Sequence, residues 1–108
     1  MFGIVPGSRY GWPKNVLHWA GIHESILDLC ATVHPHFVIA DGIVGMEGDG
    51  PLNGTPKYLN TVLLADDPVA ADSRLAAMIG FQPDQVRHIR EAGLFLGNMP
   101  RERISYLT

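Results

Sequence analysis

The sequence has one cysteine, no long apolar segment and few basic residues, and each shortage excludes a class of protein. A single thiol, Cys30, cannot form an internal disulfide or supply the ligands of an ordinary iron–sulfur cluster. No apolar run approaches the roughly 18 residues that a membrane-spanning helix needs. The N-terminus also lacks the basic start and apolar stretch of a secretion signal. We therefore expect a cytoplasmic protein with no membrane partner.

Basic charge is the second shortage, because 8 Lys and Arg residues stand against 11 Asp and Glu residues. The resulting net charge of −3 removes the broad electrostatic attraction that nucleic-acid binding requires, so we expect no nucleic-acid partner. Apolar residues make up 46% of the 108 residues, which is enough to form a core. The length predicts a single domain spanning residues 1–108.

Apolar spacing and turn residues predict the helices. In the first helix the apolar residues recur at helical spacing. In the second, Asp67 is suited to the N-cap and Pro68 to the first helical position. The predicted helices span residues 21–33, 67–79 and 83–93.

Two short apolar runs, residues 36–40 and 61–65, predict strands that are buried on both faces. Residues 94–96 and 104–107 could supply one more strand. Because helices flank strands of this kind in layered folds, we expect an α/β fold with a small, mostly parallel sheet flanked by helices. We also expect the chain to be an incomplete part of a larger domain.

A glycine-rich acidic segment, residues 41–54, separates the two predicted strands. It contains five glycines and three carboxylates. Structureless stretches of this length in a compact domain are usually functional or disordered, and the apolar residues in this one argue against disorder. We therefore predict that this loop is part of the functional site.

Two kinds of ligand fit the predicted loop. Backbone N–H groups of a glycine-rich loop can cradle an anion, whereas the carboxylates favour Mg²⁺ or Mn²⁺. The predicted metal ligands are Asp41, Glu47, Asp67 and Asp72. The predicted ligand-binding residues are Asp41, Gly48, Gly50, Lys57 and Arg9, with Lys14 as a further cation for an anionic substrate. The alternative for each carboxylate is a structural role in a turn, a helix cap or solvent.

Five histidines and the thiol offer weaker signals. No histidine pair has the i, i+4 spacing of a helical zinc site. His18 and His23 could act as acid or base, and the alternative for each is an ordinary surface or capping histidine. Cys30 lies on the apolar stripe of the first helix and is most simply a small buried hydrophobe.

Four runs carry a resemblance to a known family: GIVPGSRYGWPKNVLH, SILDL, FVIADGIVGMEGDGPLNGTPK and LLADDPVAADSRLAAMIGF. They resemble DUF362, a bacterial and archaeal family of domains of unknown function. The resemblance implies an α/β domain and directs interest to Asp41, Glu47, Gly48, Gly50, Pro51, Asp67 and Asp72. Family members are typically longer, and this chain looks like their central to C-terminal part only. Many members are joined to a cysteine-rich ferredoxin-like module, which implies an iron–sulfur setting.

Three hypotheses follow. The first is divalent-cation-assisted binding of a small anionic substrate. The second is a non-catalytic accessory domain that works with a ferredoxin-like iron–sulfur partner. The third is a remnant without activity. An incomplete sheet would expose an edge for pairing with a copy of the chain or with another partner, so a homo-oligomer is also expected.

Overall fold

The computed structural model describes residues 1–10, 15–99, 105 and 107. The helices, in chain order, are α1 (Gly7–Tyr10), α2 (Asn15–Ala20), α3 (Ile22–Val33), α4 (Pro68–Ile79) and α5 (Arg87–Ala92). Two strands, β1 (Val38–Asp49) and β2 (Asn53–Ala65), lie between α3 and α4. Short 3₁₀ turns occupy Phe2–Ile4 and Pro83–Gln85.

The sheet consists of two antiparallel strands in the described part of the chain, so the prediction of a mostly parallel sheet is wrong. β1 and β2 form one long hairpin, in which Val38 lies opposite Ala65 and Asp49 lies opposite Asn53. The two predicted strands lie at its open end, and residues 41–60 form the rest of it, including residues 41–54, which were predicted as a loop. Glycine and Asp are depleted in strands, but cross-strand pairing overrides this weak preference.

A bulge interrupts the hairpin near its middle. Gly42 pairs with Thr61 and Val44 pairs with Tyr58, so β2 carries one extra residue between the pairs. Asn60 lies in this extra stretch and has a φ of 51°, a left-handed conformation that Asn tolerates. Bulges of this kind bend a strand and increase its local twist.

The helix predictions are confirmed for α3 and α4. Asp67 is the N-cap of α4, Pro68 is its first residue, and Gly80 follows its end with a φ of 101°. The third predicted helix is divided into a 3₁₀ turn and the shorter α5. Leu94–Leu96 lie in a turn rather than a strand. Most of the other predicted strand segment, residues 104–107, lies outside the described residues.

The core is thin and built largely from small side chains. Helix α3 packs against α5, and α4 packs against both α5 and β2. No large side chain in the described residues is fully buried. The buried apolar residues are Val5, Cys30, Val69, Ala71, Ala76, Ile89 and Ala92. Helix α4 thus covers one face of the hairpin, and the three-helix layer holds most of the core.

Candidate functional site

The hairpin brings together some of the residues predicted to form the site. Lys57 Nζ lies 2.8 Å from Glu47 Oε2; the Glu47 side chain is exposed to solvent and the Lys57 side chain is partly exposed. Asp41 Oδ1 accepts a hydrogen bond of 3.0 Å from the backbone N–H of Ile43, beside the bulge. Exposed ion pairs of this type contribute little to stability. These carboxylates therefore have partners within the hairpin itself.

The glycines of the hairpin make room for neighbouring side chains. A Cβ atom on Gly54 would collide with the Met46 side chain, and one on Gly50 would lie 3.0 Å from Met46 Sδ. Gly48 has a φ of 83°, which side-chain-bearing residues rarely adopt. Gly48 and Gly54 face each other across the two strands. The glycines that the sequence predicted as an anion cradle therefore have structural roles in the hairpin.

Asp67 joins the start of α4 to a distant turn. Its Oδ1 accepts hydrogen bonds from the backbone N–H groups of Val69 at 2.8 Å and Ala70 at 3.1 Å. Its Oδ2 accepts from Asn98, through the backbone N–H at 2.8 Å and Nδ2 at 3.1 Å. Four hydrogen bonds thus occupy the carboxylate that was predicted as a metal ligand.

The structure does not gather the predicted metal ligands into one cluster. Among the described residues, no group of three or more His, Cys, Asp or Glu side chains has an arrangement that could hold a metal ion. Arg9 lies in α1, apart from the hairpin in sequence, and Lys14 lies outside the described residues. The metal and anion roles of these residues stay predictions.

One face of the hairpin exposes a continuous set of apolar side chains. Residues that pair across an antiparallel ladder lie on the same face, and alternate residues of a strand share a face, which here places Ile39 beside Leu64 and Ile43 on the same side. We define the apolar face as Ile39, Ile43, Val62 and Leu64. Each of these residues is between 50% and 72% exposed. Asp41, which lies opposite Val62, is the charged residue among them.

A cavity of about 190 Å³ lies between α3, α4 and α5. Its lining is mostly apolar, with contributions from Ile26 of α3, Val69 of α4 and Ile89 of α5. Asp72 of α4 and His88 of α5 supply the ionisable groups, together with the thiol of Cys30. Asp72 is the one predicted site residue that lines this cavity.

Two histidines pair at the edge of the cavity. His23 of α3 and His88 of α5 stack with ring centroids 5.1 Å apart, and their Nδ1 atoms are 2.9 Å apart. A hydrogen bond at this distance requires one Nδ1 to donate and the other to accept, so the pair shares one proton there. Arg87 reinforces the same junction because its guanidinium contacts Glu24 of α3 and Glu91 of α5.

Electrostatics in the cavity favour the neutral forms of its groups. Burial raises the pKa of the Asp72 carboxyl, although the carboxyl still reaches solvent, and the charges of His88 and the Met1 ammonium partly oppose that increase. Burial, followed by the neighbouring His23, lowers the pKa of His88. Burial, followed by the charge of Asp72, raises the pKa of the Cys30 thiol.

Comparison with known protein families identifies the family of this chain. Residues 1–77 match the family model described as "Domain of unknown function (DUF362)". The chain belongs to the DUF362 family. The match covers the N-terminal part of the chain, so the prediction that it is only the central to C-terminal part of a DUF362 domain is not borne out.

A curated relative of this DUF362 chain is much longer than the chain itself. It is named "Thylakoid-associated protein sll1697", from Synechocystis sp., and is 26% identical over 88 residues. The aligned part covers 77% of this chain, and the chain spans about a quarter (26%) of the relative. No solved structure matches. In the described part of this DUF362 chain, no helix is long and apolar enough to cross a membrane.

Sequence reasoning missed two features of this DUF362 chain. The pairing of His23 with His88 joins residues 65 positions apart, and no local spacing signals it. The apolar face was missed because the runs at 36–40 and 61–65 were interpreted as strands covered on both sides. A signal for the hairpin did exist, since residues 50–54 combine glycine, proline and Asn, which are typical of turns.

Proposed function

We propose that this DUF362 chain is a protein-interaction unit, whose hairpin docks a second copy of the chain through the apolar face. The observation that carries the proposal is the apolar face itself, four large side chains that nothing covers in the described part of the chain. Contiguous apolar surface of this kind is rare on monomeric proteins and usually marks an interface.

The area of the apolar face suits a second copy. A residue in an extended chain exposes about 160 Å², so four residues at 50–72% exposure present on the order of 400 Å². Phe37, at 57% exposure, borders the face and raises this area to on the order of 500 Å². Two such patches would bury about 1,000 Å² together, which is the size of a weak, reversible interface.

The single charge on the apolar face also fits a symmetric dimer. In a two-fold interface the same patch serves both copies. An axis through Ile39 and Leu64 leaves each Asp41 two residues from it, so the two carboxylates would be on the order of 13 Å apart. Neither Asp41 would face its copy, and each keeps its hydrogen bond from the N–H of Ile43.

Sedimentation equilibrium of the full chain, across micromolar to millimolar concentrations, tests the proposal. The wild-type chain is expected to form a reversible dimer. Val62→Lys is expected to weaken it by at least about 100-fold, because the interface would then bury an ammonium group. The new lysine would lie opposite Asp41, which helps the variant monomer to stay folded.

Thr55→Lys is the matched control. It adds the same charge to the same strand, opposite the carboxylate of Glu47, but seven residues from Val62 and beyond the apolar face. Its dimer is expected to match the wild type. A wild-type chain that stays monomeric, or a Val62→Lys variant that dimerises normally, would overturn the proposal. So would a monomer that instead binds lipid vesicles, an occupant suggested by the name of the thylakoid-associated relative.

The cation-assisted binding of a small anion and the partnership with a ferredoxin-like protein stay predictions from the sequence. No specific contact among the described residues supports either hypothesis. Glu47 pairs with Lys57, and the Asp67 carboxylate caps α4.

A further inference from the structure

The size of the cavity between α3, α4 and α5 limits what it can hold. Its volume is about 190 Å³. A dry protein cavity of about 150 Å³ holds a benzene molecule. The cavity therefore has room for one ring with a short substituent, or for a short aliphatic chain, and its mostly apolar lining suits either.

Asp72 is the polar anchor of this cavity. It supplies the only carboxylate among the lining residues that the structure describes. No hydrogen bond or ion pair in the described part of the chain occupies that carboxylate. A carboxylate that is partly withdrawn from water is stabilised by a hydrogen-bonding cation.

The geometry of the histidine pair limits the positive charge beside the cavity. His88 lines the cavity, and its Nδ1 shares a proton with Nδ1 of His23. Protonating both rings would place two donors and two positive charges against each other across 2.9 Å. Two positive charges on the pair are therefore disfavoured, and the Asp72 carboxylate repels carboxylates and phosphates and attracts ammonium groups.

We propose that this cavity binds a small primary amine with an apolar body, whose ammonium group pairs with the Asp72 carboxylate while its body contacts Ile26 and Ile89. No covalent step is involved. The site is separate from the apolar face of the hairpin, so the fate of one proposal does not decide the other.

The test is an amide and methyl NMR titration of the full chain with benzylamine, compared with benzyl alcohol and benzoate. These probes share the ring and differ in the polar group. Benzylamine is expected to give saturable shifts at Ile26, Cys30 and Ile89. Benzyl alcohol is expected to bind at least about tenfold more weakly, because it lacks the charge. Benzoate is expected not to bind.

Asp72→Asn is expected to weaken benzylamine binding at least about tenfold, while Asp28→Asn, at an exposed carboxyl of α3, leaves it unchanged. If Asp72→Asn misfolds, Ala92→Met serves instead, since it fills the cavity and is expected to abolish the shifts. Equal binding of benzyl alcohol and benzylamine would overturn the proposal. Unchanged binding in both variants, or shifts that map away from the cavity, would do so as well.

Discussion

Asp67 stabilises two parts of the molecule with one side chain. One carboxylate oxygen satisfies the first free N–H groups of α4, which have no partner inside the helix. The other oxygen holds Asn98 and so ties the chain after α5 to the start of α4. Gly97 permits this close approach, because a Cβ there would collide with the Asp67 carboxylate. The cap could be predicted from the Asp-Pro pair, whereas the contact with Asn98 could not.

Asp67→Ala is expected to lower the free energy of unfolding by about 2–3 kcal/mol, because it removes an N-cap and the bonds to Asn98. Asn98→Ala is expected to cost only about 1 kcal/mol, since the cap remains. Asp66→Ala, at the exposed neighbouring carboxyl, is the control and should change stability by less than about 0.5 kcal/mol. Urea denaturation measures all three. Equal losses for Asp66→Ala and Asp67→Ala would contradict the role assigned to the cap.

At the scale of elements, the helices follow from local signals and the hairpin does not. Helices α3 and α4 are marked by apolar spacing and by capping residues that act within a few positions. The sheet depends on which residues pair, and residues 41–54 could not be identified as strand by their composition, because glycine and carboxylates disfavour strands. Pairing direction was the second failure. Strands separated by only a short turn must be antiparallel, and the length of β1 and β2 leaves only such a turn.

Alanine substitutions at two glycines of β1 are expected to have opposite effects on the stability of the hairpin. A Cβ on Gly42, beside the bulge, would lie 3.0 Å from the backbone oxygen of Thr61. Gly42→Ala is therefore expected to lower the free energy of unfolding by about 1–2 kcal/mol, since backbone must shift. At Gly45 the nearest atom is 3.6 Å away, an ordinary contact.

Gly45→Ala is the matched control for that prediction. It is expected to be neutral or to stabilise by about 0.5 kcal/mol, because alanine loses less conformational entropy than glycine on folding into a strand. Urea denaturation at low protein concentration, with circular dichroism as the probe, compares the two variants without a contribution from dimerisation. Losses of the same size at both positions would show that the close approach to Thr61 does not set the geometry of the bulge.

At the scale of the whole molecule, the structure combines a thin helical core with a sheet that is covered on one side. The family and the net charge of −3 could be predicted from the sequence. The cavity was beyond sequence reasoning, since its ionisable residues come from α4 and α5 and its histidine pair spans 65 positions. The exposure of the apolar face was also beyond sequence reasoning. An apolar strand has the same kind of sequence whether one or both of its faces are covered.

The pH dependence of stability is the property of the whole molecule that the cavity controls. Burial raises the pKa of Asp72 above its ordinary 3.8, so the folded chain holds this proton more tightly than the unfolded chain. The resulting stabilisation is complete below about pH 3.8 and is lost as the pH rises through the raised pKa. The lowered pKa of His88 acts in the opposite direction, because its contribution is present above about pH 6.5 and is lost as the pH falls through the lowered value.

Asp72→Asn separates these two contributions, because asparagine resembles the protonated carboxyl at every pH. The variant is expected to be more stable than the wild type at neutral pH and to lose that advantage as the pH approaches 3.8. Urea denaturation at a series of pH values measures the gap between the two curves. Asp28→Asn, at an exposed carboxyl, should show no such convergence. A gap that stays constant with pH would mean that asparagine acts through packing, and the ionised Asp72 would then carry no cost in the folded chain.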